Sequence, residues 1–309
     1  MVAIAIAGGT GNIGQTIAEV LKENPEHKVI VLSRKAPEVQ DEAAPVIVVN
    51  YDDVDELTRV LENDNIHTVI STIPVMGPES GGPEINLVRA ADKSGPTKRF
   101  ISSDWSIPFP KMGEPSPQHA ARAATIAELR ETGLEWTTVH NGYLTDYFGV
   151  PHIKSHMRLI AINVDMANKA ASLPGTGDDV VSFTYSFDVA KFVELAIGLP
   201  RWEEELFCYG DHCTFNEVVR MAEQATASKF SVAYDSKEKL KQGHITELPS
   251  HPLAYSYFPK PVLQSVFATF GLYVIQGLFK MPEERSLNRL FPDVKTKKVS
   301  EVINAWKGK

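Results

Sequence analysis

Residues 2–21 read VAIAIAGGTGNIGQTIAEVL, and this stretch decides the fold. Residues 2–7 form a short apolar run in which Val and Ile alternate with Ala, a pattern that predicts a buried strand. A glycine-rich stretch follows, in which Gly8, Gly11 and Gly14 lie three residues apart. The apolar residues after them recur at helical spacing: Ile13, Ile17, Val20 and Leu21. We therefore expect a strand, a glycine loop and a helix in direct succession.

The spacing Gly-x-x-Gly-x-x-Gly between a strand and a helix is typical of loops that bind a dinucleotide. Gly8 permits a tight turn, Gly11 lets backbone N–H groups approach pyrophosphate oxygens, and Gly14 lets the helix pack close to the sheet. A glycine turn without a ligand is the alternative interpretation. The loop residues predicted to contact the cofactor are Gly8, Thr10, Gly11, Asn12, Ile13 and Gly14.

The end of the second predicted strand indicates which dinucleotide is bound. An acidic side chain at this point of such folds binds the ribose 2′-hydroxyl, whereas a basic one accommodates a 2′-phosphate. Here the strand ends in Ser33-Arg34-Lys35. Arg34 can stack on adenine and bind the phosphate through its planar guanidinium, and Lys35 adds charge, so NADPH is favoured over NADH. The alternative is that both cations are solvated surface charges.

The first half of the chain alternates short β-rich runs with amphipathic stretches, which predicts a Rossmann-type, doubly wound parallel sheet. The six predicted strands cover residues 2–7, 28–32, 46–50, 68–72, 99–103 and 136–140. Strand ends on one edge of such a sheet face the ligand, so Ser71, Thr72, Ser102 and Asn141 join the predicted cofactor residues.

The alternation of β-rich runs and amphipathic stretches becomes less regular after Gly149, which predicts a second, smaller α/β lobe that binds the substrate. The predicted NADP-binding domain covers residues 1–150, with 178–200 returning to it, and the substrate lobe comprises 151–177 and 201–309. A helix over 188–199 is expected to be capped by Asp188, and another begins near Thr214. Short strands are expected over 206–209 and 230–234.

Composition excludes several other partners. The 309 residues carry a formal net charge of -8, and their Lys and Arg are scattered, so neither nucleic acid nor a membrane surface is an expected partner. Two cysteines, Cys208 and Cys213, are too few for a disulfide framework and favour a cytoplasmic protein. The first strand lacks the basic leading region of a signal peptide. The apolar stretch 262–279 contains Gln264 and Gln276 and predicts a buried or pocket-covering helix rather than a membrane span.

Several motifs of familiar enzymes are missing from the sequence. None of the nine tyrosines has a lysine four residues later, so the Tyr-x-x-x-Lys pair of typical short-chain dehydrogenases is lacking. There is neither a His-Glu-x-x-His nor a Gly-x-Ser-x-Gly motif, which argues against a zinc protease and a serine hydrolase. Cys208, His212 and Cys213 have no fourth partner at suitable spacing, so no metal site is predicted.

Five segments, in order, resemble those of the NmrA-like, isoflavone-reductase-like atypical short-chain dehydrogenases, and are most similar to the fungal members. They are GGTGNIG at 8–14, VIS at 69–71, KRFISSD at 98–104, GYLTDYFG at 142–149 and FDVA at 187–190. The ending LFPDV at 290–294 with Trp306 is similar as well. The resemblance implies an NADPH-dependent enzyme that reduces an enone, a benzylic ether or a related aromatic or polyketide-like molecule, with a helix lysine assisting proton transfer.

The sequence departs from the family at that lysine. Counted back from Gly133, the matching position holds Arg122. A guanidinium can hold an oxyanion or a phosphate but is a poor proton donor, since its pKa lies above about 12. The candidate catalytic residues are therefore Arg122 itself, His119 one turn before it, Tyr143 after the sixth strand and Asp104 after the fifth. The alternatives are that His119 caps the helix, Tyr143 only packs on the nicotinamide, and Asp104 only orients a loop.

Two further regions have open interpretations. The loop over residues 74–83 follows the fourth strand and either closes over the cofactor or is a plain flexible connection. A set of aromatic residues lines an apolar pocket, belongs to the core or forms a dimer contact. Its members are Tyr255, Tyr257, Phe258, Phe267, Phe270, Tyr273 and Phe279.

The sequence thus predicts an NADPH-dependent reductase of a small, largely apolar metabolite, with a role in secondary metabolism that follows from the resemblance alone. Two alternatives stay open. One is a redox-neutral isomerase, dehydratase or cyclase on the same fold, for which Arg122 is the motivating residue. The other is a non-catalytic NADP sensor that controls a partner protein.

Overall fold

A computed structural model gives the fold and describes residues 1–75, 81–108 and 117–309, without the side chains of residues 117–119. The chain divides into two compact units. The first comprises Met1–His140 and Val189–Phe207, and the second comprises Asn141–Asp188 and Cys208–Lys309. The predicted boundaries at 150, 178 and 200 lie about ten residues or fewer from the observed ones. That the units bind cofactor and substrate, respectively, stays a prediction.

The first unit contains a parallel sheet whose described strands lie in the order β11-β6-β5-β4-β1-β2-β3. All neighbouring pairs in it are parallel. The predicted Rossmann-type doubly wound sheet is therefore confirmed. Its strands are β1 (Val2–Ala7), β2 (His27–Ser33), β3 (Val46–Val48), β4 (Thr68–Ser71), β5 (Arg99–Ile101), β6 (Glu135–His140) and β11 (Glu205–Phe207). The helices between them are α1 (Asn12–Leu21), α2 (Val54–Asn63), α3 (Gly82–Lys93) and α4 (Pro117–Arg130).

One face of this sheet packs in a buried apolar cluster of the first unit. Ala5 and Ala7 of β1 lie beside Ile30 and Leu32 of β2, and all four are buried. The apolar faces of α2, α3 and α4 pack on them through Leu57, Leu61, Leu87, Val88, Ile126 and Leu129. The helical spacing of these residues is what lets each helix bury one face, and burial of each large side chain contributes about 1.5–3 kcal/mol. The rigid sheet fixes the loops at its strand ends.

Three predicted strands extended one or two residues beyond the observed strand ends. β3 ends at Val48, β4 at Ser71 and β5 at Ile101. After β5 the chain turns, because the Asp104 N–H donates to the Ser102 carbonyl at 2.8 Å. The polar residues after the strands therefore leave the ladder and form contacts described below.

The second unit contains two small sheets among its described residues, in the orders β12-β10-β7 and β13-β9-β8. The strands are β7 (Tyr143–Leu144), β8 (Val164–Asp165), β9 (Ala170–Pro174), β10 (Val180–Thr184), β12 (Asp211–Thr214) and β13 (Ser231–Asp235). The helices are α5 (Asp146–Gly149), α7 (Phe215–Thr226), α8 (Lys237–Lys241), α9 (His251–Ala254), α10 (Lys260–Ile275), α11 (Leu287–Leu290) and α12 (Val299–Ile303). α6 (Ser186–Ile197) begins in this unit and continues into the first.

The prediction that Asp188 caps α6 is wrong. The helix begins at Ser186, two residues before Asp188. The carboxylate of Asp146 lies at its start, where it accepts hydrogen bonds from the Ser186 N–H at 2.9 Å and the Ser186 hydroxyl at 2.6 Å. Asp188 instead accepts a hydrogen bond from the Lys297 N–H at 2.7 Å. Asp146 is distant in sequence, so helix-capping patterns read along the chain could not find it.

The other helix start in this unit follows the prediction. Thr214 and Glu217 form a reciprocal capping box, and α7 begins at Phe215. The apolar stretch 262–279 mostly lies in α10, which spans Lys260–Ile275. Among the described residues, no helix combines the length and the apolar character that crossing a membrane requires.

Candidate functional site

The glycine loop after β1 is shaped by close contacts with Thr72. A Cβ atom on Gly14 would lie 2.3 Å from Thr72 Oγ1 and 2.6 Å from the Gly8 carbonyl oxygen. Gly8 has φ of +78°, and a Cβ there would lie 2.9 Å from the Thr72 carbonyl oxygen. Distances this short are excluded for real side chains, so packing alone requires glycine at both positions.

Gly11 differs from these two glycines. A Cβ on it would meet only the Gly8 carbonyl oxygen, at the ordinary distance of 3.6 Å. The described protein atoms therefore leave room at Gly11, and the residue is exposed. Room beside an exposed backbone is what a closely approaching ligand requires.

The start of α1 fits an anionic group. Gly11 is its N-cap and supplies no side-chain hydrogen bond, and no acidic residue lies in the first turn. Thr10, Gly11 and Asn12 are exposed at this end, and Ile13 is half-buried. The first N–H groups of a helix have no partner within it, and the helix dipole favours negative charge there. The chemistry of this end therefore fits the pyrophosphate of a dinucleotide.

The end of β2 presents two cations near the loop. Ser33 is buried, and its hydroxyl accepts a hydrogen bond from the Lys35 N–H at 3.3 Å. Arg34 and Lys35 are exposed. The strand end is fixed by Tyr51, whose hydroxyl donates to the Leu32 carbonyl at 3.0 Å. Burial raises the pKa of Tyr51 to about 12, so this hydroxyl keeps its proton.

A cavity of about 310 Å³ borders the loop on the α1 side. Gly9 and Thr10 contribute to its wall, together with α1 and the segment between β2 and β3. Lys22 and Asp41 form an ion pair at 2.5 Å within this wall. The cavity places open space next to the loop.

Thr72 has a structural role, because it anchors the glycine loop to the end of β1. Its hydroxyl donates to the Ala7 carbonyl at 2.7 Å, and its N–H donates to the same carbonyl at 2.8 Å. These bonds hold Thr72 against Gly8 and Gly14. The side chain is buried, so a cofactor contact by Thr72 stays a prediction.

Five polar side chains come together at the carboxyl ends of β4 and β5, and we call them the strand-end cluster. They are Ser71, Glu84, Ser102, Asp104 and Arg122. All but Arg122 are at most 2% exposed. The Trp105 indole N–H donates to the Ser71 carbonyl at 3.0 Å, and the Ser103 hydroxyl donates to the Ile73 carbonyl at 2.8 Å. The two strand-end loops are thus tied to each other.

The predicted catalytic residues Asp104 and Arg122 form an ion pair. Arg122 Nη1 lies 2.9 Å from Asp104 Oδ1, and the two side chains are 21% and 1% exposed. A buried carboxylate needs such a counter-charge, because removing it from water is costly. The structure therefore brings together two residues that the sequence placed in separate segments. It also directs the guanidinium towards a carboxylate of the protein.

Glu84 is the member of the cluster that sequence reasoning missed. It lies in the first turn of α3, on the same helical face as the buried Leu87, Val88 and Ala91. One of its oxygens, Oε1, accepts a hydrogen bond from the Ser103 N–H at 2.6 Å and from the Ser102 hydroxyl at 3.1 Å. A carboxyl group on an otherwise apolar helix face was the available signal.

Two predicted features fall partly outside the described residues. His119 lies in α4, three residues before Arg122, but its side chain is not described. In the loop over 74–83, residues 76–80 lie outside the described part of the chain. The predictions of a proton donor at His119 and of a closing loop therefore stay predictions.

Tyr143 and Asn141 belong to the second unit. Tyr143 is 4% exposed and is surrounded by aromatic rings, with ring centroids 5.4–6.3 Å away. Burial raises the pKa of Tyr143 well above its ordinary value, which makes its phenol a poor acid. Asn141 is buried, and its backbone carbonyl accepts a hydrogen bond from the Thr184 hydroxyl at 2.6 Å. The rings around Tyr143 are Tyr147, Phe148, Phe183, Phe215 and Phe279.

The aromatic residues of the C-terminal stretch pack in part as core. Phe267, Tyr273 and Phe279 are buried, whereas Tyr257 is exposed. Phe270 joins Phe267 and Phe279, with ring centroids 6.4 and 6.1 Å away. This chain of contacts continues to Tyr143 through Phe279, so these rings stabilise the second unit.

The cysteines are buried, free thiols. Burial raises the pKa of Cys213 to about 12 and that of Cys208 further, so neither is a reactive thiolate at neutral pH. His212 lies between them in sequence, and its Nδ1 is 2.9 Å from the Ser182 hydroxyl. In the described ranges no three His, Cys, Asp or Glu side chains are grouped as metal ligands.

Comparisons with known proteins agree with this site. A family model described as NAD(P)H-binding matches residues 8–157. Oxidoreductase BOA1 of Botryotinia fuckeliana is 30% identical over 305 residues, which cover 95% of this chain and 96% of that protein. Isoflavone reductase homolog IRL of Zea mays is 24% identical over 98% of this chain and 97% of its own length.

A solved structure shares the fold across the chain. The complex of leucoanthocyanidin reductase with NADPH from Vitis vinifera has a TM-score of 0.76 and 17% identity, and the match covers 98% of this chain and 99% of that one. The glycine loop, the parallel sheet and the full-length similarity to fungal and plant relatives agree. The chain therefore belongs to the isoflavone-reductase-like family of NAD(P)H-binding oxidoreductases.

Proposed function

We propose that the protein is a cytoplasmic, NADPH-dependent reductase of a small, largely apolar molecule such as an enone or a benzylic ether. The observation that carries this proposal is the loop from Gly8 to Gly14, whose exposed helix start fits a pyrophosphate. Arg34 and Lys35 at the end of β2 favour the 2′-phosphate of NADPH over the bare ribose of NADH. A role in secondary metabolism fits the fungal relative.

The remaining proposed cofactor contacts come from the other strand ends, namely Ser33, Ser71, Thr72, Ser102 and Asn141. Bound NADPH would supply a hydride. The protein would supply charge and orientation. Arg122, held by Asp104, would stabilise negative charge that develops on a substrate oxygen, because a fixed cation in a partly buried site acts strongly on such charge. His119, one helical turn before Arg122, is the proposed proton donor, since imidazole titrates near neutral pH.

A redox-neutral reaction is a second candidate, and the Asp104–Arg122 pair favours it. A guanidinium does not release its proton, so the residue that occupies the position of the family's lysine supplies charge rather than a proton. An isomerase, dehydratase or cyclase could use such a charge without net hydride transfer. A homodimer or a partner protein is compatible with each of these reactions.

The test is to titrate the purified protein with NADPH and with NADH, and then to incubate it with a small-molecule extract of its source. A product two hydrogens heavier than its precursor, formed only with NADPH, supports the reductase. A product of unchanged mass, or lighter by one water, supports the redox-neutral candidate. NADPH binding without any product would replace both with a sensor, and equal affinity for the two dinucleotides would remove the preference for NADPH.

A further inference from the structure

Both short hydrogen bonds to the Glu84 carboxyl group converge on one oxygen. The side chain is 0% exposed. Oε1 accepts hydrogen bonds from the Ser103 N–H and the Ser102 hydroxyl, whereas Oε2 has no hydrogen-bond partner among the described residues. A buried, ionised oxygen without a partner is costly unless a cation contacts the carboxylate, as Arg122 contacts Asp104. A protonated carboxyl carries its proton on the oxygen without a partner, and an unpartnered neutral group costs less than an unpartnered charge.

The charges around Glu84 agree with a proton on this group. In the described part of the chain, Arg122 on α4 is the charged group that acts on Glu84, and it already pairs with Asp104 after β5 at 2.9 Å. One cation therefore already balances one carboxylate. A second carboxylate would leave a net negative charge in a buried place, which is costly.

The effects on the pKa of Glu84 also favour the protonated form. Burial raises the pKa of Glu84 and is the largest effect, although the Ser103 N–H, the Ser71 and Ser102 hydroxyls and Arg122 all lower it. Among the described ion pairs, Arg122 contacts Asp104, and Glu84 has no cation of its own.

Glu84 also connects α3 to the end of β5 beside the proposed cofactor site. It projects from α3 to the Ser102-Ser103 turn after β5, and its pKa responds to the Ser71 hydroxyl at the end of β4. Ser71 and Ser102 are both proposed cofactor contacts. A loss of Glu84 would therefore free the turn that carries Ser102 and Asp104.

We propose that Glu84 is a positioning residue that holds the Ser102-Ser103 turn after β5 in place as a neutral carboxylic acid. It acts through Ser102 and Ser103 rather than by touching the cofactor. This inference rests on the proposed function, because it assigns Glu84 to the NADPH site. A neutral acid and a primary amide have the same shape, so glutamine should replace it.

The first experiment measures the dissociation constant of NADPH by fluorescence titration for the wild type, Glu84→Gln and Glu84→Ala. The amide carbonyl can accept both hydrogen bonds, so Glu84→Gln should bind within about twofold of wild type. Glu84→Ala loses both bonds and should bind about tenfold more weakly. Glu38→Gln, on the exposed residue 38, is the matched control for loss of one carboxylate and should change nothing.

The second experiment needs no cofactor and tests the protonation state. A raised folded-state pKa means that the folded protein binds more protons than the unfolded chain, so wild-type stability falls as the pH rises from the unfolded pKa towards the folded one. Glu84→Gln lacks this loss. The melting temperature of Glu84→Gln minus that of wild type should therefore increase between about pH 4 and pH 8, by about 2 °C or more. The same difference for Glu38→Gln should stay flat.

Each outcome decides one part of the proposal. If Glu84→Gln loses stability relative to wild type as the pH rises, Glu84 is a carboxylate and the neutral-acid assignment is overturned. If folded Glu84→Ala binds NADPH as tightly as wild type, or if Glu84→Gln binds as weakly as Glu84→Ala, the positioning role is overturned. If the wild type itself binds no NADPH, the proposed function fails and the positioning role with it. In that case the pH experiment, which needs no cofactor, still tests the protonation state of Glu84.

Discussion

The glycine loop and the strand-end cluster lie on the same parallel sheet but are built by opposite means. The loop is defined by missing side chains, since a Cβ on Gly14 would lie 2.3 Å from Thr72 Oγ1. The cluster is defined by side chains that are buried although they are polar, with Glu84 and Asp104 at 0% and 1% exposure. Steric exclusion shapes the first region, and the balance of charge and desolvation shapes the second.

This difference determines how each region should respond to mutation. The steric site tolerates no added atom at Gly8 or Gly14, but it leaves room at Gly11. A charged site tolerates changes of size but depends on the number of charges it contains.

Gly14→Val should abolish NADPH binding and lower the free energy of unfolding by about 3 kcal/mol, since the new side chain collides with Thr72 and with the backbone at Gly8. Fluorescence titration and urea unfolding would measure the two effects. The matched control is Gly11→Ala, whose Cβ would lie 3.6 Å from the Gly8 carbonyl oxygen. Its stability should change by less than about 1 kcal/mol. Equal destabilisation by the two changes would contradict the contrast between these glycines.

Arg122→Ala should lower kcat/KM by about 100-fold or more and stability by about 2–4 kcal/mol, because it removes the proposed charge stabiliser and leaves Asp104 buried without a counter-charge. Steady-state kinetics and denaturant unfolding would show this. Arg130→Ala is the control on the same helix, since Arg130 pairs with Glu204 at 3.0 Å while both side chains are about 60% exposed. It should cost less than about 1 kcal/mol. Unchanged function in Arg122→Ala would support the sensor instead of an enzyme.

The double change Arg34→Ala with Lys35→Ala should weaken NADPH binding by about tenfold or more and leave NADH binding nearly unchanged, because only NADPH carries the 2′-phosphate. The dissociation constants of both dinucleotides would be compared. Lys28→Ala is the control, because Lys28 lies near the opposite end of the same strand. A parallel loss for NADPH and NADH would argue against a 2′-phosphate site at the end of β2.

Tyr143→Phe should have the smallest effect, within about twofold in kcat and about 1 kcal/mol in stability. The buried hydroxyl has the Asn163 backbone beside it but forms no hydrogen bond of good geometry, and the ring that packs in the aromatic core is retained. Kinetics and unfolding would be measured beside Tyr147→Phe, at a half-buried tyrosine whose pKa is also raised by burial. A drop of about 100-fold in kcat for Tyr143→Phe alone would restore its predicted role as an acid.

The sequence predicted the sheet and its ligand loop well because both are encoded by residues that are close in the chain. The run over residues 2–14 contains a strand, a glycine loop and a helix start, and the structure has the same succession. Short-range patterns also predicted the start of α7, where Thr214 and Glu217 are three residues apart. The expected cap at Asp188 was wrong because Asp146, 40 residues before Ser186, lies at the start of the helix.

The charge states of the site could not be predicted from local patterns. Asp104 and Arg122 were each candidates, but nothing in the sequence paired them. Glu84 was overlooked because its partners, Ser102 and Ser103, lie 18 and 19 residues further along the chain. The amino-acid sequence by itself determined the fold, the glycine loop and the family, since spacing and residue type are local properties. Only the tertiary structure decided which carboxyl group meets a cation and which is buried without one, because desolvation and Coulomb interactions depend on neighbours in space.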